Sequence, residues 1–174
     1  MNLLLTPSFY ISRVTDLTPE WLWAHKIRGV LTDLDDTLAA RTCSLPKQET
    51  IQWIAELKQQ GIQICIVSNN HKKRTETFAR PLEIGFVYNA CKPFLWGLEA
   101  GLAVLGRKKE EVALIGDQIF TDIKAANRMG IRSILVEPIG PSGGLYVDWK
   151  RRKELPLRTE LQKRIGPDGA IVTG

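Results

Sequence analysis

Cysteine and histidine are scarce in this sequence: Cys43, Cys65 and Cys91 stand far apart, and only His25 and His71 accompany them. With no C-x-x-C pair, neither a zinc site nor a disulfide framework is indicated, and a reducing location is expected. Long apolar runs are missing too. The longest, Pro93 to Gly106, is interrupted by Glu99 and is too short to cross a bilayer. The opening Met1-Asn2-Leu3-Leu4-Leu5-Thr6-Pro7 has no basic region and is broken by proline, so it does not read as a secretory signal. There is no internal repeat, no low-complexity tract, no helix-turn-helix signature and no aromatic stacking pattern among the basic residues, so no nucleic-acid partner is indicated.

What is present is ordinary in amount. The 174 residues, 44% hydrophobic and 25% charged, fit one domain with a normal core. The net charge of +5 is unevenly placed: Trp149-Lys150-Arg151-Arg152-Lys153 is the densest basic run, and Arg158, Lys163 and Arg164 extend it. Two readings stand side by side. The run is a solvated helical face, or it is a surface that attracts phosphate-rich partners, each basic residue near an anionic bilayer contributing about 1 kcal/mol.

Short β-branched runs alternate with amphipathic stretches. Val30 to Asp33 reads as a strand, Lys47 to Gln60 as a helix stopped by Gly61, and Ile62 to Val67 as a second strand. A short helix over Lys72 to Ala79, a strand over Gly85 to Tyr88 and a helix over Pro93 to Leu105 follow. Then come a strand Val112 to Gly116, a helix Thr121 to Met129 closed by Gly130, and a strand Ser133 to Val136. Trp53 and Trp96 fit helix faces packed on the sheet, and the cysteines fit core positions. From about Pro138 on, periodic apolar positions thin out. Such alternation predicts an α/β fold, a Rossmann-like three-layer α/β/α sandwich with a central parallel sheet. Ligands then bind beyond the carboxyl ends of the strands, where strand order reverses.

The residues at those strand ends are the most specific signal in the chain. The first strand ends in Asp33-Leu34-Asp35-Asp36-Thr37-Leu38; if the peptide bends at Asp33, both Asp33 and Asp35 can face one small site. The second strand ends in Ser68-Asn69-Asn70, the loop after the third carries Lys92-Pro93, and the fourth ends in Gly116-Asp117 with Asp122 five residues on. Carboxylates that close repel unless a cation sits among them, and oxygen-only ligands favour magnesium. Phosphoryl transfer needs such a set: a nucleophile, a proton donor, a cation and donors around the phosphoryl oxygens. Each residue alone has a structural reading as a turn, cap or solvated side chain. Asp36 is read as a loop-capping residue outside the site, and His71 as solvent-exposed.

Asp33-x-Asp35-x-Thr37, Ser68, Lys92 and Gly116-Asp117-x-x-x-x-Asp122 resemble the four motifs of the haloacid dehalogenase-like phosphatases, in order, over about Val30 to Val136. The resemblance implies a catalytic core over about residues 27–137, with a basic C-terminal extension over about 138–174. It implies that Asp33 is the nucleophile forming an aspartyl-phosphate and that Asp35 is the general acid and then the base. By the same resemblance Thr37 supports the loop and Asp35, Ser68 and Asn69 bind phosphoryl oxygens, and Lys92 neutralises nucleophile and phosphate. Asp33, the Asp35 carbonyl and Asp117 would hold Mg2+, with Asp122 near the metal waters or paired to Lys92. The carboxylate at Asp35 selects phosphatases over the dehalogenases and ion pumps of the same superfamily.

Only a loop and one helix separate Leu38 from the second strand, and Ser68 to Lys92 has room for a helix and a strand, so no separate cap domain is expected. The chain is similar to the capless subclass IIIA branch, which contains phosphatidylglycerophosphate phosphatases; that branch usually shows Asn or another polar residue where Asp36 stands. The implied partner is a phosphate monoester, here phosphatidylglycerophosphate, met by a cytoplasmic protein in peripheral contact with an anionic membrane. Tyr10, Trp21, Trp23 and the basic tail suit such contact, and they suit a soluble oligomer equally. A soluble small-molecule or phosphoprotein phosphatase and a non-catalytic interaction module are the alternatives.

Overall fold

The computed structural model describes residues 2–140 and 145–172, apart from the side chains of residues 145–147 and 150. Within them, strands β1 Phe9–Ile11, β2 Gly29–Thr32, β3 Gln63–Val67, β4 Gly85–Val87, β5 Val112–Gly116 and β6 Arg132–Val136 form one sheet in the order β1-β6-β5-β2-β3-β4. Every pairing is parallel. Helices α1 Pro19–Ala24, α2 Gln48–Gln59, α3 Lys72–Ala79, α4 Trp96–Leu105, α5 Lys124–Met129 and α6 Leu145–Gln162 surround it.

The period of two along each strand decides which helix covers which face. Val30, Ile64, Ile66, Ala113 and Ile115 pack with Trp53, Ile54 and Leu57 of α2 and Phe78 of α3. Their neighbours Leu31, Cys65, Val67 and Leu114 turn the other way, onto Leu98 and Leu105 of α4 and Ala125 and Ala126 of α5. A third cluster joins Tyr10 and Leu135 to Leu161 of α6. Both faces are covered, as a parallel sheet requires, and each buried Leu or Ile stabilises the fold by about 1.5–3 kcal/mol. The buried Trp53 indole is satisfied by donating to the Leu17 carbonyl at 2.9 Å.

From β2 the chain moves out through β3 and β4, then crosses back to β5 and β6 on the other side. The reversal falls at β2, at the end of which Asp33 stands. No cap domain is inserted. The chain from β2 to α2 is a loop, and from β3 to β4 it carries only α3 and one 3-10 turn, Arg80–Leu82.

Several expectations are corrected. A sixth strand, β1, lies beyond β6; three residues are too few to carry a period, and pairing to β6 supplies its hydrogen bonds. The segment after Pro138 contains α6, an 18-residue helix with Pro156 inside it. Its sequence hides an inward face because Glu154 and Arg158 are buried there beside Leu161. Helix α4 begins at Trp96 rather than Pro93, since the preceding residues form a turn closed by Phe94 N–H to Cys91 O, 3.0 Å. Trp96 is 48% exposed rather than packed on the sheet. Only Cys65 is a core cysteine; Cys43 is half-buried and Cys91 exposed, and all three are free.

The amino-terminal aromatics belong largely to the fold. The Tyr10 hydroxyl is buried and donates to Glu137 Oε1 at 2.5 Å, and Trp21 packs edge-on against Phe9 with ring centres 4.9 Å apart. Trp23 is partly exposed and carries the Arg28 guanidinium over its ring at 3.3 Å. Among the described residues, no helix is long and apolar enough to cross a membrane.

Candidate active site

Because β2 pairs with β3 on one side and β5 on the other, their carboxyl ends bring Asp33, Ser68 and Asp117 together. The Asp33 amide still donates to Ile115 O at 2.9 Å, extending the pairing one residue past β2. The chain then turns sharply. Leu38 N–H and Ala39 N–H both donate to Leu34 O, and Asp36, at φ 65°, donates to Ala39 O at 2.7 Å. This tight loop overrides strand alternation and puts Asp33 and Asp35 on one cavity of about 550 Å³, with Arg41, Ser68, Asn69 and Lys92.

Lys92 is buried at the centre. Its ammonium donates to Val67 O at 2.6 Å and lies 2.9 Å from Asp33 Oδ1 and 2.8 Å from Asp122 Oδ1. Its backbone is clamped by the Asn69 carboxamide: Lys92 N–H donates to Oδ1 at 2.7 Å, and Nδ2 donates to Lys92 O at 3.1 Å. The Ser68 hydroxyl accepts from the Asn70 amide at 3.1 Å. Asp122 sits in a π-type turn, Ile119–Ile123, and accepts from Gln118 N–H at 3.1 Å. It crosses so close to Gly116 that a Cβ there would lie 2.3 Å from the Asp122 carboxyl carbon, which explains glycine at that position.

Asp33, Asp117 and Asp122 are all buried and place one carboxylate oxygen each within 4.8 Å of the others. Burial raises the Asp33 carboxyl from 3.8 to about 6; Lys92 opposes this and Asp122 adds to it. Burial also holds Asp117 well above the carboxylate range, reinforced by Asp122, Asp33 and Asp36 and opposed by Arg158. For Lys92, burial alone would lower the ammonium, but Asp122 and Asp33 outweigh it, so the group is raised and stays charged. A buried oxygen-only cluster with carboxylates pushed towards protonation fits a hard divalent cation such as Mg2+, which would replace the missing positive charge. Asp122 has both carboxylate oxygens engaged, Oδ1 by Lys92 and Oδ2 by Gln118 N–H, whereas Asp33 meets Lys92 through Oδ1, so Asp33 and Asp117 are the carboxylates best placed to hold it.

Thr37 is fully buried and donates to Asp117 Oδ1 at 3.2 Å, so its hydroxyl serves Asp117 rather than Asp35 or the cavity. Asp36 is more than a loop cap. It is buried, with Arg41 Nε at 2.7 Å and Arg151 Nη2 at 3.2 Å. His71 is exposed as expected, but it also lines the cavity and caps α3 by accepting from Arg74 N–H at 3.3 Å. The basic tail is corrected more strongly. Arg151 reaches Asp36, and Arg158 is buried, donating to the Tyr10 hydroxyl at 3.0 Å and to the Asp117 carbonyl. Lys150, expected in the same surface run, lies outside the described side chains.

Sequence reasoning missed the partners of Asp35. Asn70 Nδ2 donates to Asp35 Oδ2 at 2.8 Å, and Arg74 donates to Oδ1 through Nη2 at 3.0 Å and Nε at 3.3 Å. The signal available was their place on either side of the α3 start: Asn70 precedes the cap residue His71 and Arg74 lies in the first turn. In sequence, however, Arg74 is merely the third cation of Lys72-Lys73-Arg74.

This arrangement agrees with what the chain resembles elsewhere. It is 34% identical over 158 residues to "Probable phosphatase YqeG" of Bacillus subtilis, covering 91% of this chain and 92% of that one. The fold is shared with the cobalt-bound deoxy-D-mannose-octulosonate 8-phosphate phosphatase of Haemophilus influenzae, at TM-score 0.55 and 17% identity over 75% of this chain and 77% of that one. It is shared also with the 3-deoxy-D-manno-octulosonate 8-phosphate phosphatase of Yersinia pestis, at TM-score 0.51 and 19% identity over 70% and 68%. Residues 14–130 match the haloacid dehalogenase-like hydrolase family, and the chain belongs to that family.

Proposed function

We propose that the protein is a magnesium-dependent phosphatase that hydrolyses a phosphate monoester through an aspartyl-phosphate on Asp33. The observation that carries this reading is one buried ammonium, Lys92, spanning Asp33 and Asp122 beside Asp117, under a cavity that also holds Asp35 and Ser68. A carboxylate oxygen of Asp33 attacks phosphorus, the bond to the leaving oxygen breaks, and Asp35 gives that oxygen its proton. Asp35 then takes a proton from water as the water attacks phosphorus, and the bond to Asp33 breaks to restore the carboxylate. Ser68, the Asn69 backbone amide and Lys92 offset charge on the phosphoryl oxygens. Asp33, Asp117 and the Asp35 carbonyl would hold Mg2+, whose chemistry here is to neutralise charge between nucleophile and phosphate.

For the substrate, we propose a phosphate carried on a polar headgroup at a surface, phosphatidylglycerophosphate being the member suggested by the subclass IIIA resemblance. The uncapped cavity supports this, since its lining is polar and its mouth is not covered by a second domain. So do Tyr88, Phe94 and Trp96, which are exposed on the segment that also supplies Asn89 and Lys92 to the cavity. Aromatic side chains of this kind favour the membrane interface.

The test is magnesium-dependent phosphate release from phosphatidylglycerophosphate in mixed micelles, beside a panel of soluble monoesters, with Asp33→Asn as control. Release by the wild type alone supports the phosphatase reading, and equal release by Asp33→Asn contradicts it. Faster turnover of soluble monoesters than of the lipid contradicts the headgroup substrate and leaves the reaction intact.

A further inference from the structure

The Asp35 carboxylate is held from two sides, and both holders come from the segment that opens α3. The Ser68-Asn69-Asn70 loop is fixed by its own backbone. Ser68 O accepts from Ala90 N–H at 2.9 Å, Asn70 O accepts from Asn89 N–H at 2.8 Å, and His71 caps the helix through Arg74 N–H. Fixing that loop fixes where α3 starts and which residues of its first turn face Asp35. Asn70, just before the cap residue His71, and Arg74, in the first turn of α3, both meet Asp35. Phe78, a further four residues along and fully buried, lies under the Arg74 guanidinium at 5.6 Å.

The contact geometry concerns direction more than charge. Arg74 Nε and Nη2 converge on one oxygen of Asp35, while the Asn70 carboxamide takes the other. Rotating the carboxyl about its Cβ–Cγ bond would break contacts at both oxygens. The third guanidinium nitrogen, Nη1, is buried with no hydrogen-bond partner. A lysine here would supply the positive charge without that orphan donor, but only a planar fork gives two donors on one oxygen in a fixed plane.

We propose that Arg74, assisted by Asn70, is a positioning residue that sets the direction in which Asp35 faces the leaving oxygen of the substrate. The proposal rests on the reading of Asp35 as the proton carrier. Arg74 does not line the cavity, so its effect passes through Asp35. A residue that merely pins α3 to the loop would, when replaced, slow all substrates alike. A residue that aims the acid slows the first step, transfer of phosphate to Asp33, only for substrates whose leaving oxygen needs a proton.

The experiment compares a simple alkyl phosphate, a poor leaving group, with para-nitrophenyl phosphate, whose phenolate leaves unaided. It uses wild type, Asp35→Asn, Arg74→Gln, Arg74→Lys, Asn70→Ala and the double variant Arg74→Gln/Asp35→Asn, each checked for folding by circular dichroism. General acid assistance is worth about 10²–10⁴-fold, so loss of its aim should cost Arg74→Gln about 10–100-fold on the alkyl ester in kcat/KM, which covers the steps up to departure of the leaving oxygen and not the later hydrolysis shared by both substrates. On para-nitrophenyl phosphate the loss should stay within a few-fold. Arg74→Lys should share most of the selective loss, Asn70→Ala should show a smaller one, and the double variant should be no slower than Asp35→Asn on the alkyl ester.

Equal losses by Arg74→Gln on both substrates would overturn the proposal, as would a wild-type profile for Arg74→Lys. If Arg74→Gln does not fold, Arg74→Lys and Asn70→Ala decide by the same criterion. Asp35→Asn separates the two levels. Selective loss in Asp35→Asn without selectivity in the Arg74 and Asn70 variants rejects this inference alone, and no selectivity in Asp35→Asn rejects the proton-carrier reading and this inference with it.

Discussion

Lys92 Nζ lies 2.8 Å from Asp122 Oδ1 and 2.9 Å from Asp33 Oδ1, so a single buried ammonium bridges the nucleophile candidate and a carboxylate in the turn that follows β5. Neither carboxylate is comfortable without it. Replacing Lys92 by Met should remove the charge but keep the volume, leaving buried carboxylates uncompensated. Breaking a buried pair in this way costs about 3–5 kcal/mol. Urea denaturation should register that loss, and added Mg2+ should restore part of it. Asp122→Asn should cost less, since Lys92 keeps Asp33 and the Val67 carbonyl.

The raised Asp33 carboxyl gives the folded protein a tighter hold on a proton than the unfolded chain has. This contribution to stability is complete below the ordinary value of 3.8 and is lost as pH rises through about 6. Wild type should therefore gain on Asp33→Asn in Tm as pH falls through that window. Mg2+ competes with the same proton, so the Tm rise produced by Mg2+ should be larger at about pH 7.5 than at about pH 5. Thermal melts of the two proteins with and without Mg2+ check both statements.

Arg158 ties α6 to the metal-site candidate through the Asp117 carbonyl, beside its contacts to Tyr10 and Glu137. Residues that orient ligands from behind typically change metal affinity by about 10–100-fold when replaced. Arg158→Gln should raise the Mg2+ concentration needed for half-maximal activity by an amount in that range. Lys163→Gln, at an exposed position of the same tail, should leave it unchanged.

The motif residues were readable because chemistry and strand-end position coincide in sequence. Asp33, Asp35, Ser68 and Lys92 all line the expected cavity, and the pairing of Asp122 with Lys92 was one of two arrangements anticipated. The contributions of Arg74, Arg151 and Arg158 were not readable, because an arginine that pairs inward looks like a solvated one in sequence. Only the tertiary placement of α3 and α6 distinguishes them. Strand β1 escaped for another reason: its three residues are held by β6, not by any local pattern.

That redistribution moves the membrane test from the tail to the segment between β4 and α4. With Arg151 and Arg158 turned inward, exposed Phe94 and Trp96 become the surface to test. Phe94→Ser/Trp96→Ser should reduce co-sedimentation with anionic vesicles while leaving turnover of a soluble monoester near the wild-type rate. Unchanged co-sedimentation would remove these aromatics from the account.

The proposed reaction passes phosphate through Asp33. Borohydride added during steady-state turnover reduces an acyl phosphate to an alcohol, which would convert Asp33 to homoserine, and peptide mass spectrometry locates the change. Homoserine should appear at Asp33 only when Mg2+ and substrate are both present. Phosphate release under trapping conditions with Asp33 unmodified, or with Asp35 reduced in its place, would contradict it.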